Sequence, residues 1–249
     1  TAFMKIIRNI PQVIKIYRSL KYLNEYKKEI DSGRVSGDIK KEKENILKAT
    51  KTWGSKLSEM IGVEITVSGI ENLPENSPVV YVSNHQGYAD IVVLCAVLDT
   101  VQFGFIAKNG LEKVPLYGTW IKRIRSILIE RDDPRESLKA ISKGIDYINL
   151  GFSLLIFPEG TRSRGPVMGE FKKGSLKLAT KPQVPIVPVS INDTWHIFEE
   201  TGIVTPHPVK VLIHPAMETV SLDKEHEKAL TEKVRAVINK GLDELQKDS

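Results

Sequence analysis

The sequence predicts an α/β domain, a sheet flanked by helices, preceded by an N-terminal amphipathic helical hairpin. Three observations carry that expectation. Short, β-branched apolar runs recur from residue 63 onward. Helix-like stretches lie between most of them, the alternation expected around a largely buried sheet. Ahead of both, residues 3–28 place apolar side chains at spacings of three and four, the stripe of an amphipathic helix.

In order along the chain, that stripe comprises Phe3, Ile6, Ile7, Ile10, Val13, Ile14, Tyr17 and Leu20, while Lys5, Arg8, Lys15, Arg18 and Lys21 fall largely off it. Pro11 is expected to kink this helix or to mark its true start, because it lacks an amide hydrogen. The polar residues 31–38 read as the turn into a second helix over about 40–60. The hairpin, residues 1–60, is expected to associate with a membrane, and residues 61–249 to form the α/β domain. Strands are predicted at 63–67, 79–83, 103–107, 127–130, 153–157, 186–191 and 209–214, and helices at 89–98, 134–150, 174–181 and 223–247. There is no internal repeat and no low-complexity tract.

Composition narrows the class. At 41% hydrophobic and 27% charged residues, the chain is an ordinary globular one. Its longest apolar run, residues 91–98, is far shorter than the roughly 18–20 residues of a membrane-spanning helix. The early apolar residues are interleaved with charges, so no signal peptide is expected. Cys95 is the only cysteine, which excludes an internal disulfide, and its apolar neighbours suit an inert core thiol. The net charge of +5 is uneven: residues 1–28 carry +6 and the rest −1. That excess on one amphipathic helix suits an anionic membrane surface, with the helix lying in the interface. No nucleic-acid partner is expected.

Two polar stretches interrupt this pattern just after apolar runs. In the first, "SNHQGYAD", His85 and Asp90 are five residues apart. Within one ideal helix they would point about 140° apart. They meet if His85 precedes the helix and Asp90 lies in its first turn, with Gly87 permitting the sharp entry. The carboxylate would then hold the ring through Nδ1 and leave Nε2 as a base. The alternative reading makes Asp90 a charge at a helix N-terminus and His85 an ordinary loop residue.

In the second, "FPEGTRSR", Pro158 should end the strand, Gly160 permits close approach of a ligand, and Arg162 and Arg164 offer forks suited to phosphate. The alternative is a solvated turn in which Glu159 pairs with an arginine. Two such loops at strand ends point to one site beyond the carboxyl edge of the sheet.

"NHQGYAD", then "FPEGTRSR" about 70 residues later, then "VPIVPVSI" resembles the glycerolipid acyltransferases over roughly residues 65–216. The resemblance implies transfer of a fatty acyl group from an acyl thioester, of acyl carrier protein or coenzyme A, to the sn-2 hydroxyl of 1-acylglycerol-3-phosphate. The product would be phosphatidic acid. It implies His85 as general base with Asp90 orienting it. It implies acceptor binding by Arg131 of "SILIERDD", by Glu159, Gly160, Thr161 and Arg162, and by Lys108 at the end of "FGFIA", which is otherwise a surface lysine at a strand end. Pro185 and Pro188 match a fourth motif that shapes the acyl-donor side.

No cofactor and no metal are implied, and the cytoplasmic face of the cell membrane is the expected location, with peripheral or monotopic attachment. Other expectations compatible with the residues are an acyltransferase for another lysophospholipid or for glycerol-3-phosphate, a non-catalytic membrane-surface module, and a thioesterase.

Overall fold

The computed structural model describes residues 2–108, 110–129, 133–172 and 174–247. All seven predicted strands form: β1 (Ile65–Ser68), β2 (Val80–Ser83), β3 (Phe103–Lys108), β4 (Ile127–Ile129), β5 (Ser153–Ile156), β6 (Ile186–Asn192) and β7 (Val209–Ile213). They make one sheet in the order β1-β7-β6-β2-β5-β3-β4. Neighbours run parallel throughout, except β6 and β7. β2 and β5 lie at the centre and are buried at every position, as strands covered on both faces must be.

The two faces follow from strand alternation. Tyr81, Leu155, Val187 and Val189 point to one side and Val80, Val82, Leu154 and Ile156 to the other. The first side is covered by α4 (Ile39–Ile61), α5 (Ala89–Val97) and α6 (Tyr117–Arg123). The second is covered by α7 (Pro134–Asn149), α8 (Lys177–Thr180) and α9 (Lys224–Lys247). Asp133 caps α7 by accepting from the amides of Arg135 and Glu136, with Pro134 at the first position, where its missing amide hydrogen costs nothing. Cys95 is buried on α5, and burial pushes its thiol up to about 12, which makes it the inert core residue expected.

The N-terminal segment departs from a simple hairpin. It contains α1 (Ala2–Arg18), α2 (Leu20–Asn24) and α3 (Lys27–Ser36) before α4. The helix neither begins at Pro11 nor ends there; it runs through it. The expected turn at 31–38 is largely helical, and the chain reverses only at Gly37, with φ of 72°, and Asp38, which caps α4.

Tertiary contacts override the polar composition of that stretch. Ile30 and Gly33 are buried, and a Cβ on Gly33 would stand 2.8 Å from the amide nitrogen of Glu42 on α4. Arg34 reaches Glu42 at 2.6 Å. The same carboxylate, 2% exposed, takes Arg125 through two bonds of 2.7 and 2.9 Å. The boundary expected at residue 61 runs through one core: Leu20, Ile30, Ile46 and Ala49 pack with Val93, Leu94 and Phe103.

One half-buried histidine makes acid stability testable. His214, beyond β7, donates from Nε2 to Ser190 Oγ at 2.8 Å, because that hydroxyl donates its own hydrogen to the Ile238 carbonyl on α9. Burial lowers the ring's pKa, with Glu244 acting weakly the other way. A depressed folded pKa contributes stability that is present above the unfolded value and lost as pH falls through the folded one. The melting temperature should therefore drop on acidification below about pH 6.5, and His214→Gln should flatten that decline. An unchanged pH profile in the variant would remove His214 from the explanation.

Candidate active site

The strand register places the two polar loops side by side. β2 and β5 pair Val82 with Ile156, so His85 and Glu159, each three residues further on, arrive at the same height above the sheet. The loops are then joined by backbone bonds, from Ser163 N–H to the His85 carbonyl at 2.7 Å and from Arg164 N–H to the Gln86 carbonyl at 3.1 Å. On the other side of β2, Asn84 exchanges both of its amide-group bonds with the backbone of Ile191, at 2.9 and 2.8 Å. The residue before the histidine is thereby fixed to β6.

Asp90 lies in the first turn of α5 and His85 lies before that helix. His85 Nδ1 and Asp90 Oδ2 are 2.6 Å apart. Oδ2 also accepts the amides of Gln86 at 2.7 Å and Gly87 at 3.0 Å. Oδ1 accepts from the hydroxyl of Thr194. A fully buried carboxylate with this set of donors is satisfied as an anion, and an anion fixes the tautomer with hydrogen on Nδ1. The ring stacks on Phe157 with centres 4.0 Å apart. Among the described residues Nε2 has no hydrogen-bond partner.

Glu159 is buried, and its two oxygens accept the amides of His85 and Gly169, each at 2.7 Å. Burial raises its pKa against the opposing pull of those two amides. The carboxylate thus spans the histidine loop and the segment that follows the second motif. Gly160 adopts φ of 72°, and Arg162 bonds Glu199 at 2.7 Å while its guanidinium lies over Tyr88.

A cavity of about 490 Å³ opens over this arrangement, lined by His85, Lys108, Phe157, Thr161, Arg162 and Arg164 among others. A second, of about 560 Å³, shares Ile106, Phe157 and Thr161 with it and continues between β4, β5 and α7 past Ala140, Ile141 and Leu178. One cavity therefore has a cationic rim and a histidine, and the adjoining one has mainly apolar walls. Arg131 lies outside the described residues. Among those described, no group of three or more His, Cys, Asp or Glu side chains is disposed to hold a metal ion.

Sequence reasoning brought His85, Asp90, Lys108, Thr161 and Arg162 to one place, and Glu159 beneath them. It missed Asn84, Phe157, Thr194 and Glu199. The first two lie inside the quoted motifs. Thr194 and Glu199 come from the loop after β6, and only the parallel pairing of β6 with β2 would have pointed to them.

A family model described as Acyltransferase matches residues 64–192. The chain is 35% identical over 167 residues to a chloroplastic 1-acyl-sn-glycerol-3-phosphate acyltransferase of Brassica napus, covering 66% of this chain and 48% of that one. It is 31% identical over 188 residues to the 1-acyl-sn-glycerol-3-phosphate acyltransferase of Borreliella burgdorferi, covering 75% of each. The crystal structure of the 1-acyl-sn-glycerophosphate (LPA) acyltransferase from Thermotoga maritima superposes with a TM-score of 0.80 at 28% identity, over 97% of this chain and 98% of that one. The chain spans about half the length of the chloroplastic relatives it matches, 48% and 46%. With the family model covering more than half of its length and the histidine and arginine loops inside the match, the chain belongs to the acyltransferase family.

Proposed function

We propose that the protein transfers a fatty acyl group from an acyl thioester to the sn-2 hydroxyl of 1-acylglycerol-3-phosphate, forming phosphatidic acid. The observation that carries this reading is the His85 ring, held by Asp90 at 2.6 Å and opening onto a cavity with a cationic rim. An unaided hydroxyl does not ionise at neutral pH. His85 Nε2 takes its proton as the oxygen attacks the thioester carbonyl. The C–S bond then breaks, and the proton passes to the departing sulfur. A positioned base of this kind contributes typically about 10²–10⁴-fold.

Arg162, with Arg131 and Lys108, receives the acceptor's phosphate and so aims the hydroxyl at the base. Glu159 and Gly160 shape the loop that carries Arg162. The apolar cavity beside Phe157 gives an acyl chain a place out of water. The donor is a thioester of acyl carrier protein or coenzyme A.

Release of free thiol, followed with and without lysophosphatidic acid, tests the reading. Release that depends on the acceptor supports it. Release without acceptor selects a hydrolase, and none at all leaves a membrane-surface module. Glycerol-3-phosphate or another lysophospholipid accepted in preference would move the assignment within the family.

The lysophosphatidic acid acceptor and the phosphatidic acid product reside in a bilayer, and α1 is built to reach one. None of its described residues is buried, and Phe3, Ile6 and Ile14 are 70%, 64% and 52% exposed on its apolar stripe. Among the described residues no helix is long and apolar enough to cross a membrane. In this reading α1 lies in the interface of the cytoplasmic face, with its lysines and arginines against anionic headgroups.

Removing residues 1–18 should abolish sedimentation with anionic vesicles. High salt should weaken binding of the full chain without eliminating it, since the apolar contribution is not screened. Undiminished sedimentation of the shortened protein would rule this helix out as the anchor.

A further inference from the structure

Gly87, in the middle of the histidine loop, lies against a side chain that neither motif contains. A Cβ built there would stand 2.4 Å from Oε2 of Glu199, so a larger residue displaces that carboxylate or the loop. Glu199 follows the short turn Thr194–His196 beyond β6, and its side chain is 1% exposed. Its Oε1 accepts the Tyr88 amide at 2.8 Å and Arg162 Nη1 at 2.7 Å, while Oε2 has no hydrogen-bond partner. Arg162 in turn sits 3.7 Å above the centre of the Tyr88 ring.

A buried carboxylate with one unpartnered oxygen is a costly group, and packing alone would be served by an apolar one. What it supplies is geometry. An arginine at a cavity rim samples many rotamers, and here one charge-assisted bond and one aromatic face restrict it. Only Nη1 is engaged among the described residues, which leaves Nη2 and Nε to meet an anion. The same oxygen also binds the backbone beside Gly87, so the arginine is referenced to the histidine loop itself.

We infer that Glu199 is a positioning residue for acceptor recognition: it holds Arg162 in the orientation that receives the phosphate, at a fixed offset from His85. The inference rests on Arg162 being a phosphate ligand, as proposed above. It assigns a role to a position beyond the family-model match, in the loop that follows β6.

A double-mutant cycle on the full chain tests it, using Glu199→Ala, Arg162→Ala and the pair, with Michaelis constants for lysophosphatidic acid and for the acyl thioester. Glu199→Ala should raise the acceptor constant about tenfold and leave kcat and the donor constant within about twofold. The pair should be no worse than Arg162→Ala alone, because both changes disable one contact. Glu199→Gln keeps the shape and an acceptor oxygen, so an acceptor constant raised about threefold is expected; that variant carries the test if the alanine form does not fold.

Multiplying effects in the pair, or an equal loss in kcat and both constants, would overturn the inference and make Glu199 a residue of the fold. An acceptor constant raised by Arg162→Ala but unmoved by either Glu199 change also overturns it, leaving the phosphate reading intact. An Arg162→Ala protein with an unchanged acceptor constant overturns both.

Discussion

Replacing His85 with alanine is expected to lower turnover at least about a hundredfold while the protein stays folded. Among the described residues, the ring is the only group at the centre of the site that combines a fixed tautomer with a nitrogen free to take a proton. Its removal strips Asp90 of one donor but leaves the Gln86 and Gly87 amides and the Thr194 hydroxyl in place. The loop also keeps its bonds from Ser163, Arg164 and the Glu159 carboxylate, all of which use backbone atoms of the loop. Thermal unfolding should therefore change little, the loss of stacking on Phe157 being the main term. Thiol release at saturating substrates is the measurement. A variant that retains a tenth or more of the wild-type rate would exclude His85 as the base.

Asp90→Asn should also lose roughly a hundredfold, for a reason the hydrogen bonds make specific. Oδ2 faces three N–H donors, from His85, Gln86 and Gly87, so an amide nitrogen placed there would meet hydrogens on every side. The new NH₂ group is forced to the Oδ1 position, where the Thr194 hydroxyl turns to accept from it. The carbonyl oxygen then still accepts from Nδ1, and the ring keeps its orientation and tautomer. What disappears is the negative charge that, in the proposed mechanism, stabilises the imidazolium formed during attack. Substrate Michaelis constants should hardly move. A variant as active as the wild type would show that orientation alone suffices and that the charge contributes nothing.

Much of the sheet was legible because its strands are short, β-branched and separated by helical stretches, a pattern that survives without tertiary information. α6 was not, since Tyr117–Arg123 is brief and its sense comes from contacts. The Tyr117 hydroxyl meets Ser19 and Trp53, and Trp120 is buried beneath the N-terminal helices. Residues 31–36 looked like a turn for the same reason, as the helix there is set by Ile30 and Gly33 in the core and by the pairing of Asp31 with Arg123 and Arg34 with Glu42 across the fold. The candidate site shows the same division. His85, Asp90 and Arg162 announce themselves through residue type and loop context. Thr194 and Glu199 are unremarkable in sequence and acquire meaning only when β6 is laid beside β2.

The Glu42 cluster bears on which parts of this chain can vary independently. Its carboxylate binds Arg34 on α3 and Arg125 just past α6, so the early helices share a buried charge balance with the body of the protein. A graft that exchanged the first 60 residues for another leader would strand Arg125 without its counter-charge, whatever that leader did at a lipid surface. α1 has no such debt. It meets the body through two bonds between Asn9 and the backbone of Gly202 and Val204, the Tyr117 hydroxyl on the Ile16 carbonyl and the Tyr17 ring against Tyr117, and none of its described residues is buried. The cut point that separates an interchangeable leader from an inherited core therefore falls at the end of α1, ahead of Ser19, the first buried residue among those described.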